Sequence, residues 1–333
     1  MKRVVLLKTQ LVEAAKLAVC NDFSKQRLAV ILLDNFIEIQ LSELMKKQFA
    51  YDDCFTSRPP KFNYTLRKKI LYNYDDMLKA CESEKLIIRE EREILIFCHD
   101  VRNNLYHQSK EEPLITTIAL KFLNAIILKY QPDWRSGRDF MTMNIKDPYV
   151  TNDKTQSGTA SNSKDGWTEF LSKYFICLPG DSKTVPALIS EYLLTKVGTA
   201  KDYYQFLTDD HSNLSQSTEN WELNEFLMFY SFYNVKEFEL KNLKLGSDST
   251  SYNKAHKEMI IAYKNNWTYV KSERLNMLEG HYKGIGALPG HKALSKFIQF
   301  RTEINMIHEA LHKAASALDA EIETQIERLR ERE

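Results

Sequence analysis

Between Glu91 and Gln108 the chain has no Gly or Pro, and Ile94, Cys98, Val101 and Leu105 recur at steps of four, three and four. Apolar residues at that spacing share one face of a helix, because each residue turns the chain by roughly 100°. Similar steps run through long stretches of the sequence, which has only 10 Gly and 8 Pro in 333 residues. Strand-like alternation is scarce, so the chain is expected to be all-α.

Five helices are expected before residue 132, at about 8–20, 24–49, 65–83, 90–109 and 113–130. Arg58-Pro59-Pro60 breaks the second from the third, and Pro113 opens the fifth in the first-turn position that proline favours. On the second helix Val30, Leu33, Ile37, Leu41 and Leu44 form a core stripe. Asp34 and Glu38 lie beside it one turn apart, a pair expected either to be solvated or to orient cationic groups of the fourth helix. Residues 1–131 thus read as one helical bundle. Pro132 begins a break, and the polar stretch at 151–166 has the composition of an exposed loop.

Residues 132–290 are expected to form a second helical domain, rich in aromatics: Trp221, Phe226, Phe229, Tyr230, Phe232, Tyr233 and Phe238. Aromatics interleaved with Lys can stack bases, but at helical steps they fit a core better. Gly280 to Gly290 is Gly-dense, yet no strand precedes its Gly-x-Gly and Pro289 interrupts it, which speaks against a dinucleotide loop. It reads as a hinge. Beyond it, 291–333 has no Gly or Pro, and Phe300, Ile304, Ile307, Leu311, Leu318, Ile322, Ile326 and Leu329 form a near-heptad stripe, a long helix and a candidate coiled coil.

The charge balance narrows the function. With 46 basic and 45 acidic residues the net charge is +1, so no global field attracts nucleic acid and any RNA contact must come from a local patch. Five widely spaced Cys (Cys20, Cys54, Cys81, Cys98 and Cys177) form no Cys-x-x-Cys pair, which disfavours a disulfide framework or a zinc knuckle and fits a reducing compartment. Met1 to Lys16 lacks the apolar core of a signal peptide, and no apolar run is expected to reach the roughly 18 to 20 residues of a membrane span. A cytoplasmic protein without a membrane partner is expected.

The chemistry concentrates on the fourth helix. Away from its packing stripe, His99, Arg102, Asn103, Tyr106 and His107 occupy a sector about 140° wide, with Asp100 and Asn104 interspersed. Arg offers a planar, permanently charged fork for phosphate oxygens. His exchanges protons near neutrality. Together they suit phosphodiester transfer without a metal or other cofactor.

The run Arg102-Asn103-x-x-x-His107 resembles the signature of the HEPN domains (higher eukaryotes and prokaryotes nucleotide-binding), in which Arg, a following polar residue and a spaced His stand on a late helix of a helical bundle. The resemblance covers roughly residues 1–131. It implies a metal-independent ribonuclease that works as a homodimer on cellular RNA, as a toxin or an antiviral abortive-infection factor with an antitoxin or defence-system partner. By this resemblance Arg102, Asn103 and His107 are the catalytic residues; the polar face of the fourth helix and the acidic pair of the second add His99, Asp100, Tyr106, Asp34 and Glu38 as supporting candidates. Family members paired with a nucleotidyltransferase antitoxin often carry Tyr two residues after the His. Ser109 stands there in this chain, although Tyr106 is close. The rival class is a noncatalytic HEPN-like dimerisation or scaffold protein.

A second motif competes. His308-Glu309-Ala310-Leu311-His312 matches His-Glu-x-x-His, in which two imidazoles one turn apart bind Zn²⁺ and the Glu activates water. Zincins take a third ligand from beyond a turn or from another helix, whereas this helix is expected to run unbroken past Glu321 and Glu323. Glu309 and Lys313 also form a favourable i,i+4 pair, as on a solvated face. The zinc protease reading is therefore the lesser one.

Overall fold

The computed structural model describes residues 2–54, 59–107, 112–134, 148–149, 163–175, 183–210 and 272–331. Among them every regular element is helical: α1 (Lys2–Ala18), α2 (Phe23–Asp53), α3 (Tyr64–Tyr72), α4 (Tyr74–Ser83), α5 (Arg89–His107), α6 (Pro113–Trp134), α7 (Lys164–Tyr174), α8 (Val185–Asp210), α9 (Ser272–Ile285) and α10 (Gly290–Arg330). The protein is all-α, as its periodicity indicates. Two units divide it, Met1–Leu188 and Ile189–Glu333, with the boundary inside α8.

In the first unit α2 is the axis, packed against α1, α4, α5 and α6. Asp22 starts it: the carboxylate accepts hydrogen bonds from the backbone N–H groups of Ser24 (2.9 Å) and Lys25 (3.3 Å), donors that have no partner inside the helix. Val30, Leu33, Ile37 and Leu41 are buried, while Leu44 is half-buried and Met45 fills the interior beside it. From α5 the stripe of Ile94, Cys98, Val101 and Leu105 enters the same core, together with Leu95 and Phe97.

Four expectations need correction in this unit. The helix expected at 65–83 is two helices, because Asn73 leaves helical geometry (φ −122°, ψ 119°) and its side chain accepts from the Asp76 N–H at 2.9 Å, ending α3 and capping α4 at once. Pro132 does not begin a break. It lies inside α6, whose last turn is held by buried Trp134 stacked on Tyr130 with ring centroids 5.2 Å apart. The loop expected at 151–166 has a helical end: Ser163 caps α7 by accepting from the Gly166 N–H at 3.0 Å, while 150–162 lie outside the described residues. Finally, α6 is long and apolar enough to cross a membrane by length and composition. Ile115, Ile118, Leu120, Leu123 and Ile127 are nevertheless buried in the bundle, as expected of a core helix apolar all round.

Helix α7 packs on α6 in this unit. Its Trp167 and Phe170 meet edge to face at 5.5 Å, and the ammonium of fully buried Lys8 lies over both rings at 5.4 and 5.2 Å.

In the second unit Phe297, Ile304, Leu311 and Leu318, seven residues apart, are all fully buried along α10. The stripe is thus packed as far as Leu318, and only towards the helix end are Ile326 and Leu329 exposed. The Gly-rich hinge is shorter than expected. Helix α9 runs through Gly280 and Gly284 to Ile285, so the turn spans only Gly286 to Pro289. The aromatic run from Trp221 to Phe238 lies outside the described residues.

Candidate functional site

The first turn of α5 carries Glu90 and Glu91, acidic residues that suit the positive end of a helix dipole. Glu91 is buried. It accepts from the Ile88 N–H at 2.9 Å and also meets Lys129 and Tyr130 of α6. Its hydrogen bond raises the Lys129 pKa above the ordinary lysine value, with burial opposing. These contacts tie the start of α5 to α6 and fix the rotation of the helix, which turns His99 and Arg102 towards α2.

Across from them stands Asp34, which is 0% exposed. It is not the solvated residue that its place beside the α2 stripe allowed. Its Oδ2 lies 2.9 Å from His99 Nδ1 and 3.9 Å from Arg102 Nε. The side chains of His99 and Arg102 are 19% and 26% exposed, so both reach solvent on one side and the buried carboxylate on the other. Arg102 Nη1 donates to Asn103 Oδ1 at 2.9 Å, and its guanidinium carbon lies 5.8 Å from the ring centre of exposed Tyr106. Glu38, one turn along α2 and half-buried, joins Asp34 and His99: one donor atom from each of the three lies within 4.8 Å of the others.

The structure therefore brings together Asp34, Glu38, His99, Arg102, Asn103 and Tyr106. Asp100 is exposed on α5. His107 is the last residue of α5, but its side chain and residues 108–111 lie outside the described residues, so no distance relates its imidazole to Arg102.

Tyr74 was not anticipated. The first residue of α4, it stacks on His99 with ring centroids 3.9 Å apart and an interplanar angle of 16°. Its hydroxyl is buried and has no hydrogen-bond partner. Burial first, and then the charge of Asp34, push the phenol well above its ordinary pKa, so it stays neutral. Burial likewise drives the Cys98 thiol up, reinforced by Asp34, which leaves it inert as a nucleophile. A sequence signal for Tyr74 existed in the Asn73 cap, which sets where α4 begins.

The arrangement offers a fixed cation beside a buried anion, an imidazole held by a carboxylate and a stacked ring, and an amide on the cation. That set can hold a phosphate oxygen at Arg102 and exchange a proton at an imidazole. Asp34, Glu38 and His99 also form a donor set of two oxygens and one nitrogen, suited to a divalent metal.

The rival motif is set differently. His308 is half-buried and His312 exposed on α10, with ring centroids 6.3 Å apart, and both rings face Tyr203 at 5.7 and 5.3 Å. Burial, then Lys196 and His312, hold His308 below the ordinary histidine value. Glu309 pairs with Lys313 at 2.9 Å. Among the described residues no His, Cys, Asp or Glu completes a set of three with the two imidazoles.

No protein-family model matches the chain, and no curated protein and no solved structure matches it either.

Proposed function

We propose that this chain is a metal-independent endoribonuclease of the HEPN-like kind, which cuts cellular RNA in the cytoplasm as a toxin or abortive-infection effector under the control of an antitoxin or defence partner. The observation that supports the reading is the setting of Arg102. Its guanidinium is oriented by Asn103 and by the buried Asp34 carboxylate, yet a quarter of the side chain remains exposed to receive a phosphate. His107 follows on the same helix.

In this reading the imidazole of His107 takes the proton of an RNA 2′-hydroxyl, and the 2′-oxygen attacks the adjacent phosphorus. A 2′-O–P bond forms and the P–O5′ bond breaks. The leaving 5′-oxygen takes a proton from the imidazolium of His107 of the partner subunit, and the products are a 2′,3′-cyclic phosphate and a 5′-hydroxyl. Arg102 stabilises charge as it builds on the phosphoryl oxygens, and Asn103 fixes the direction of the fork. A two-fold homodimer supplies two copies of the motif to one cleft.

The test is cleavage of single-stranded RNA by purified protein in excess chelator. Wild type should cut, DNA should resist, and Arg102→Ala and His107→Ala should lose activity while keeping their helical content. Absence of cleavage by well-folded wild type would favour the noncatalytic scaffold.

A further inference from the structure

Two carboxylates and one imidazole meet where the charge balance is incomplete. Asp34 is fully buried, and a carboxylate in that position needs compensation. Its Oδ2 has His99 at 2.9 Å and Arg102 at 3.9 Å, but Oδ1 is buried with no hydrogen-bond partner. Glu38 adds a second negative charge one helical turn away, and among the described residues no cation lies within ion-pair distance of it. The carboxylates of Asp34 and Glu38 thus stand with one fixed cation, Arg102, beside the His99 imidazole.

We propose that Asp34, Glu38 and His99 bind one divalent transition-metal ion, of the Mn²⁺ or Zn²⁺ class, with the under-compensated Asp34 carboxylate as the buried ligand. The spacing fits. Ligand atoms about 2.1 Å from an ion and roughly at right angles stand about 3 Å apart, close to the 2.9 Å between His99 Nδ1 and the nearer Asp34 oxygen. The remaining donors, all within 4.8 Å, need only a small contraction. Half-buried Glu38 and His99 leave a route for the ion from solvent, and solvent on that side would supply the remaining ligands. In the bound state Nδ1 of His99 presents its lone pair to the ion, with the ring proton on Nε2.

Tyr74 fixes the ring plane. Stacked at 3.9 Å on His99, it holds the imidazole at the edge of the cluster and excludes water from that face. An oxygen-rich set with one nitrogen selects a borderline ion over Ca²⁺. The ion takes no part in the cleavage proposed above, and its binding is read without any substrate, so either proposal can fail alone.

The test uses the full chain, stripped with chelator and titrated with Mn²⁺, the free ion being counted from its paramagnetic resonance signal. Wild type should bind one ion per chain. Glu38→Gln and His99→Gln should each weaken binding ~10-fold or more, and Asp34→Asn should do the same. A protein carrying both His308→Asn and His312→Asn should bind as wild type does. Binding that is absent in wild type, unchanged in Glu38→Gln and His99→Gln, or lost with the His308 and His312 pair overturns the proposal. Should Asp34→Asn fail to fold, the other two variants decide.

Discussion

Removing Arg102 tests how the buried Asp34 carboxylate is held. At 3.9 Å a full Coulomb attraction at an effective dielectric of 20 is about 4 kcal/mol. Two observations reduce that ceiling. Arg102 Nε makes no hydrogen bond, and its side chain is 26% exposed, so water shares the cation. Arg102→Ala is therefore expected to cost about 1–2 kcal/mol, less than a fully buried pair loses when one partner is removed. Asp34→Asn keeps the volume and removes the charge, so the lost attraction and the relieved desolvation largely cancel. The double variant should recover most of the Arg102→Ala loss, because no carboxylate is left uncompensated. Hydrogen exchange of the α2 and α5 amides reads the opening free energy of this unit directly. A coupling below about 0.3 kcal/mol, within the additivity of independent sites, would refute the electrostatic account of the pair.

Val101→Asp places a charge in the core shared by α2 and α5, where Val101 is buried, and should abolish cooperative melting of the first unit by circular dichroism. At pH 8 a small alkylating reagent should label exposed Cys54 and half-buried Cys20 while sparing Cys98 and Cys81, whose thiol is pushed up to about 12 by burial; mass spectrometry of native protein checks this. Glu279 is held down at about 2 by its hydrogen bonds to Lys201 and Lys283. A depressed carboxylate stabilises the fold above its ordinary value near 4.5 and loses that contribution as pH falls towards about 2. The melting temperature of Glu279→Gln should therefore lie below that of wild type at neutral pH and converge with it in acid.

The helical class was legible because packing obeys period: the residues at 94, 98, 101 and 105 are all in the core. The paired faces of α2 and α5 were legible only in part. Asp34 stands next to a core stripe, and a helical wheel does not say whether a flanking residue faces solvent or a neighbouring helix. The contact of His99 with Asp34 joins residues 65 apart and depends on how α5 is turned by Glu91, Lys129 and Tyr130. Tyr74 was hidden by reading residues 65–83 as one helix, where only the double capping by Asn73 marks the restart. On α10 the apolar spacing from Phe300 marks the seam, whereas the fully buried seven-residue repeat begins at Phe297. Sequence period located that seam without telling a neighbour within the unit from a second chain.

The most direct test of the central claim is the chemistry of the cut ends. Wild type incubated with a defined RNA in excess chelator should leave 2′,3′-cyclic phosphate and 5′-hydroxyl ends, and one 2′-deoxy substitution at the scissile nucleotide should block that cut. Adding excess His107→Ala protein should depress wild-type activity below simple dilution through mixed dimers. Cleavage that leaves 3′-hydroxyl ends, survives the 2′-deoxy substitution or persists in His107→Ala would contradict the account.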